Sequence, residues 1–460
     1  MAEYDMTPVA VPKVRTKYRN IQTKIPVPES LPIFESLNAT EPRSMMGMPP
    51  IVWHRAEDFS VWDRWGNRWI DWSSGVLITN AGHGRREIRD ALKEVIDQGL
   101  LASYVFVHEK RMALTRMLQS LAPVPEEYRV FLISTGSEAT ENCIKLSKTY
   151  AVEKHGPQKK YFVTFLNAFH GRTMGAQLAG GMDKQKRWMV DRDLTFVQVP
   201  FPDGFKNPDT SFDLFLSTLK AKGIRPEHIA GVMTESYQGV GPDFLPVDYA
   251  KKLEAFCREH DIVLSFDEVQ AGFGRTGRMF GYEHYGVKPD LIACGKGISS
   301  SLPISAVIGR RDIMELYAPG SMTSTHSGSP LPVVAALANL ELIIRERLPE
   351  RAAQMGAILI PELERIQRKY PETLGCTQGK GLVAGIQVVK PGTREPNPDV
   401  AVLINLRCFQ SGLLMFAPVG VGGECLKICP PLTINEEALR ESIQVFEDSC
   451  DAVLQARCCL

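Results

Sequence analysis

The chain has 460 residues, 44% of them hydrophobic and 23% charged, with 53 Lys and Arg against 53 Asp and Glu. The net charge of zero argues against a nucleic-acid partner and against attraction to an anionic membrane surface. No run of about 18 apolar residues occurs, so no membrane-spanning helix is expected, and the length suits two or three domains or one large domain with a satellite.

The first residues, Met1-Ala-Glu-Tyr-Asp-Met6, lack the basic-then-apolar pattern of a signal peptide. Residues 1–50 are rich in Pro and polar side chains and show few periodic signals. They read as an extended arm that packs on the body of the protein or on a partner subunit. Ile51-Val-Trp-His54, Phe59-Ser-Val-Trp-Asp63 and Arg68-Trp-Ile-Asp-Trp72 are predicted short strands, with Gly66-Asn67 in the last turn. Five of the six Trp lie between 53 and 72, which reads as hairpin core before it reads as a binding box. Ser73 to Gly84 is a predicted loop, and helical patterns follow at 85–98 and 108–121.

From about residue 129 the rhythm becomes strand, loop, helix. Arg129–Ile133, Tyr161–Leu166, Ala230–Glu235, Ile262–Glu268, Pro289–Cys294 and Ser305–Gly309 are predicted strands. Glu138–His155, Val247–His260 and Pro330–Arg347 are predicted helices. Alternation of this kind argues for an α/β fold with a mainly parallel sheet and helices on both faces. After Pro349 the pattern is helix (350–369), strand (382–390), helix (398–411), strands (413–417 and 426–429) and helix (435–456), a smaller α/β lobe. The expected division is an arm and part of a small domain at 1–75, a large domain at 76–348 and the rest of the small domain at 349–460. The ten Cys form no regular framework. Cys425, Cys429 and the pair Cys458–Cys459 lack a His or second Cys pair at zinc-site spacing, so reduced cytoplasmic thiols and no metal are expected. The C-terminal Cys458-Cys-Leu460 is preceded by Arg457, so it is no prenylation box.

Four weak signals carry the chemistry. Ser134-Thr-Gly-Ser137 joins a strand to a helix, and small residues at a positive helix end suit a phosphate; the bland alternative is an ordinary N-cap by Ser137. Phe169-His-Gly-Arg-Thr173 follows a strand, where the aromatic could stack on a flat ring and Arg172 could hold an anion, or the loop could simply pack. Asp267 ends a buried strand, and a carboxylate there is costly unless it faces a cation such as a protonated pyridine nitrogen. Lys296 sits between Gly295 and Gly297 just past a strand end, where it is either a surface turn lysine or a Schiff-base lysine. Gly272-Phe-Gly-Arg-Thr-Gly277 matches a dinucleotide fingerprint, the basis of a rival reading as an NAD-dependent dehydrogenase. A fingerprint should open a helix, and the glycine-rich run that follows does not. Together the four signals match pyridoxal 5′-phosphate (PLP).

Residues 45–445 resemble the class III, ω-type aminotransferases of PLP fold type I. The resemblance rests on Asp63-Arg-Trp-Gly-Asn67, Ser134-Thr-Gly-Ser-Glu-Ala-Thr-Glu141, Phe169-His-Gly-Arg-Thr173, Asp267 to Gly277, Gly295-Lys-Gly297 and Thr325-His-Ser-Gly-Ser-Pro330, in that order. It implies a mainly parallel seven-stranded sheet in a large PLP-binding domain, a smaller domain from both chain ends, and a homodimer with active sites at the interface. It further implies that Lys296 carries the cofactor and moves the substrate proton, and that Asp267 pairs the pyridinium. Gly136 and Ser137 would hold the phosphate, Phe169 would stack on the ring, and Gln270 would lie near the ring hydroxyl. His170 and Val269 complete the implied cofactor set, and Thr325 would reach the neighbouring subunit's phosphate.

The departures bear on substrate. The family's carboxylate-binding arginine, in an Arg-Gly-x-Gly stretch, is matched here by Gln378-Gly-Lys-Gly381. Losing a bidentate cation there removes about 2–3 kcal/mol of charge-assisted pairing. Glu235 matches the glutamate that neutralises that arginine, and the proline that follows it is Ser236 here. Ser299-Ser-Ser301 replaces a glycine run, and His326 replaces an aromatic. The expected substrate is therefore polar, cationic and without an α-carboxylate, such as an amino sugar aminated at its 6′ position, with Arg172 holding the carboxylate of an amino-acid donor. The chain is similar to aminoglycoside-pathway members of the class through Lys17 to Ser30 and Ser44 to Trp53. A PLP-dependent epimerase of an amino sugar uses the same chemistry and stays open.

Overall fold

A computed structural model describes residues 4–458. Met1–Glu3 and Cys459–Leu460, on which parts of the signal-peptide and prenylation expectations fall, lie outside the described residues. The chain divides into two compact units, residues 86–350 and residues 1–85 with 351–460.

Residues 86–350 are built on a seven-stranded sheet. Its strands are β1 (Tyr128–Ile133), β2 (Tyr161–Phe165), β3 (Phe196–Val199), β4 (Ile229–Glu235), β5 (Val263–Asp267), β6 (Leu291–Cys294) and β7 (Ser305–Arg310). The order across the sheet is β1-β7-β6-β5-β4-β2-β3, and only β7 runs antiparallel to its neighbours. The central strands are apolar runs buried along their whole length, as expected of a parallel sheet covered on both faces. Ile133, Ala139, Cys143, Leu146, Phe162, Met233, Leu291, Ala293 and Val307 form the core between sheet and helix α1 (Gly136–His155). Helix α2 (Pro330–Arg345) is almost wholly apolar and buried along most of its length.

The register matters for chemistry. Asp267 stands opposite Glu235 of β4 and Ala293 of β6. Parallel strands end together, so β4, β5 and β6 deliver Glu235, Asp267 and, two residues past its strand, Lys296 to one edge of the sheet. Ligands of open α/β sheets bind outside that carboxyl edge.

The other unit holds both chain ends. Strands Val14–Arg15, Asn20–Ile21, Arg68–Asp71, Ser60–Trp62 and Arg55–Glu57 line up in that order, and Leu413–Leu414 pairs parallel to Arg68–Asp71. A second sheet contains Leu374–Lys380, Val383–Val388 and Cys425–Ile428. Trp69 is buried, stacks on Phe409 with ring centroids 5.4 Å apart, and donates its indole N–H to the Phe409 carbonyl. The expected strand at 51–54 begins instead at Arg55, and the helix Leu31–Thr40 has no counterpart in the sequence expectations. Residues 14–27 are part of this unit's own sheet and core. Among the described residues, no helix is long and apolar enough to cross a membrane.

Candidate active site

Helix α1 opens beside β1. The sequence suggested Ser137 as its cap. The cap is Thr135, whose hydroxyl accepts from the Glu138 N–H while Glu138 Oε2 accepts from the Thr135 N–H at 2.8 Å, a capping box two residues earlier. Gly136 and Ser137 therefore occupy the first helical turn, where backbone N–H groups have no intrahelical acceptor. A Cβ on Gly136 would meet Val269 Cγ1 at 2.9 Å, and one on Gly295 would meet the same atom at 3.2 Å. One on Gly171 would meet the Ser137 hydroxyl. The helix end, the Asp267 turn, the Phe169–Arg172 loop and the lysine turn thus converge, and glycine is required where they touch.

Asp267 Oδ2 lies 2.8 Å from His170 Nδ1, and Oδ1 accepts from the Val269 N–H at 3.0 Å. An acceptor-only carboxylate requires His170 Nδ1 to carry the proton. Burial opposes a charge on His170, but the bond to Asp267 and the field of Asp267 and Glu235 outweigh it, so the imidazole pKa is raised. Glu235 is buried, and its carboxylate accepts from the Phe169 N–H at 3.1 Å and the Gly239 N–H at 2.8 Å. Desolvation dominates, and its pKa rises to about 7. Lys296 is partly buried and stands at φ 42°, left-handed for a non-glycine residue. Burial lowers its pKa against the pull of Asp267 and Glu235, which favours a neutral, nucleophilic amine.

The remaining expectations divide. Phe169 is half-buried with the Arg172 guanidinium 5.8 Å from its ring centroid, and Arg172 is exposed. The Gln270 amide lies over Gly239. Thr325 is exposed in the loop before α2. Gln378 lies on Leu374–Lys380, in the other unit, opposite Gly385. In the serine turn at 299–301 the Ser299 hydroxyl donates to the Leu302 carbonyl and accepts from the Ser301 N–H, and the Ser301 hydroxyl donates to the Ser299 carbonyl. The turn uses its own hydroxyls.

The profile of the class III aminotransferases matches residues 42–450. The chain belongs to the class III aminotransferases. It is 32% identical to a 4-aminobutyrate aminotransferase of Mycobacterium leprae over 93% of this chain and 97% of that protein. It is also 32% identical to a leucine/methionine racemase of Thermococcus litoralis, over 89% and 92% respectively. An amine transaminase from an uncultivated Pseudomonas species, solved in its PLP-bound form, superposes with a TM-score of 0.81 at 26% identity, covering 90% of this chain and 97% of that one. This class III aminotransferase is a PLP-dependent enzyme of fold type I. The dehydrogenase reading is set aside by the family, and its glycine-rich run forms turns, not a helix.

The residues present fit that cofactor. A helix N-terminus suits a phosphate. An aspartate held by His170 suits a protonated pyridine nitrogen, and the buried His170 Nε2, with no hydrogen-bond partner among the described residues, marks polar capacity the protein itself leaves unused. Two neighbours escaped the sequence reasoning. Glu268 is fully buried, accepts from the Gly281 and Tyr282 N–H groups at 2.7 and 2.9 Å and from the Ser236 hydroxyl, and has its pKa raised by burial to about 7. Asn339 on α2 donates to the carbonyls of Gly297 and Ile298. Its signal was a lone amide in the apolar run Val333–Leu340.

Proposed function

We propose that this aminotransferase works on a polar, cationic amine without an α-carboxylate, an amino sugar at its 6′ position, with an amino acid as the second substrate. The observation that carries the proposal is Gln378 at the position matching the family's carboxylate-binding arginine. The relatives named above bear on it only in part, since 4-aminobutyrate also presents an amine remote from its carboxylate.

When bound, PLP supplies an electron sink for the substrate's amine-bearing carbon. Lys296 would hold the cofactor at rest, and its Nζ would take and return the proton of that carbon. Asp267, fixed by His170, would keep the pyridine nitrogen protonated. Gly136 and Ser137 would hold the phosphate, Val269 and Phe169 would flank the ring, and Gln270 would lie near its hydroxyl. Glu235 places a carboxylate beside Lys296 and Asp267 that could face a substrate ammonium, while Arg172 would hold the donor's carboxylate. Thr325 would serve the neighbouring subunit in a homodimer. A dimer is supported by an exposed apolar segment, in which Phe106 is 77% and Val107 89% accessible, beside a groove of about 400 Å³ lined in part by Val107, Arg111 and Met112.

The purified protein should show the visible absorbance of lysine-bound cofactor, and Lys296→Ala should lack it. An aminoglycoside carrying a 6′-amine, incubated with 2-oxoglutarate, should yield glutamate, and Gln378→Arg should favour carboxylate-bearing amines by roughly 30–150-fold. Turnover of 4-aminobutyrate with none of the amino sugar would overturn the substrate. Return of the proton to the opposite face would make the enzyme an epimerase, a reading favoured by the similarity to a named racemase. Inversion with deuterium gain in heavy water, without a keto acid and without ketone product, would decide for it.

A further inference from the structure

We propose that Asn339 is the residue that positions Lys296, by fastening the turn that carries it to the buried helix α2. The proposal rests on Lys296 being the cofactor lysine. Lys296 lies in a turn closed by two local bonds, one of them long: the Ile298 N–H donates to the Gly295 carbonyl at 3.1 Å and the Ser299 N–H to the Lys296 carbonyl at 3.4 Å. Those contacts alone do not explain how a non-glycine residue is kept at φ 42°, a conformation that persists only where its surroundings over-determine it.

Asn339 supplies that constraint. Its side chain is completely buried, and Nδ2 donates one hydrogen bond to the Gly297 carbonyl and one to the Ile298 carbonyl, each 2.9 Å long. Both amide protons are used on the two residues that follow Lys296. The two acceptors fix the amide's orientation, since only an NH₂ group can serve two carbonyls. The other end of the amide, Oδ1, is buried without a hydrogen-bond partner among the described residues. A leucine here would fill the space without that orphan, so packing does not account for an asparagine in the middle of an apolar helix. The donor pair does account for it. α2 is a rigid buried element, and the lysine turn inherits its rigidity through two bonds.

The residue touches no reacting atom, so its effect should fall on the lysine and not on substrate binding. Asn339→Ala removes both donors. Asn339→Asp keeps the shape but places a carboxylate against two carbonyls. In either holoenzyme kcat should fall about tenfold or more with KM little changed. The pH titration of the visible absorbance should shift, and borohydride should fix less cofactor to Lys296. Hydrogen exchange followed by mass spectrometry gives an arm that needs no variant. In the wild-type holoenzyme the Ile298 and Ser299 amides should exchange as slowly as core strands, and in the variants they should speed up within the 295–300 segment. Exchange of those wild-type amides on the timescale of an open loop would overturn the proposal, whether or not the variants fold. So would folded variants with lowered melting temperature but unchanged absorbance titration and kcat. A wild-type protein with no lysine-dependent absorbance would instead overturn the role of Lys296, and the exchange result would still stand on its own.

Discussion

At the scale of single residues, a buried carboxylate and an exposed valine make opposite kinds of prediction. Glu235 has its pKa raised from the ordinary carboxylate range to about 7 by burial. Between those values the folded chain binds more protons than the unfolded chain. Its contribution to stability is therefore complete below the unfolded pKa and is lost as pH rises through about 7. Glu235→Gln should remove that slope: thermal unfolding of the cofactor-free protein between acid and neutral pH should be flatter in the variant than in the wild type. Parallel curves would show that Glu235 stays ionised throughout. Val76 stands in a run of four left-handed residues, Ser74 to Leu77, at φ 65°. A branched side chain there costs about 1–2 kcal/mol, and Val76 is 39% exposed, so little burial offsets it. Val76→Gly should stabilise the protein by roughly 0.5–1 kcal/mol after allowing for the extra freedom of glycine in the unfolded chain. A drop in the denaturation midpoint would mean that the valine packs more than its exposure indicates. Neither feature was legible in the sequence. Glu235 could be placed on a strand, but its desolvation depends on the loop of Phe169 and the turn to Gly239 closing over it. Positive φ at Val76 has no sequence signature, since valine is a residue that avoids it.

Among the elements, helix α1 shows how far pattern carries. The strand, turn and helix around Ser134–Ser137 were legible because an apolar run gives way to small residues and then to helical periodicity. The cap was not, because Ser134, Thr135 and Ser137 are all plausible caps and only the contacts choose Thr135. Thr135→Ala should cost about 1 kcal/mol in the denaturation midpoint, and Thr135→Ser should be close to neutral. Equal losses in both would point to packing of the methyl group and not to the cap. The same limit hid β3, whose four residues Phe196–Val199 are interrupted by the polar Gln198, and Leu374–Lys380, whose three polar residues and two glycines do not read as strand. The buried strands β4 to β6, of which β6 is an unbroken apolar run, were legible, and with them the edge on which Glu235, Asp267 and Lys296 meet.

For the whole molecule, the chain ends are what sequence reasoning described least well. Residues 1–50 looked like an arm because their strands, Val14–Arg15 and Asn20–Ile21, are two residues each, pair with one another, and join the sheet only where Asn20 pairs with the distant Arg68. Two kinds of contact bind this arm. Lys17 and Arg19 reach Glu437 and Glu441 on the last helix, and Ile21 is buried with Ile25, Val61, Trp69 and Phe409. Magnitude decides between them. The Lys17–Glu437 pair is solvent-exposed on both sides, and exposed pairs of this kind often contribute nothing measurable. Emptying the Ile21 site leaves a cavity in a packed core and costs about 2–5 kcal/mol. Five of the six tryptophans lie at positions 53–72, in the same unit as the arm, and only Trp188 lies in residues 86–350, so tryptophan fluorescence reports chiefly on the arm's unit. In urea, Ile21→Ala should move the fluorescence transition to lower concentration, and Lys17→Ala should leave it in place at physiological salt. The reverse result, a shift with Lys17→Ala and none with Ile21→Ala, would mean that charge and not burial holds the first strands to the sheet.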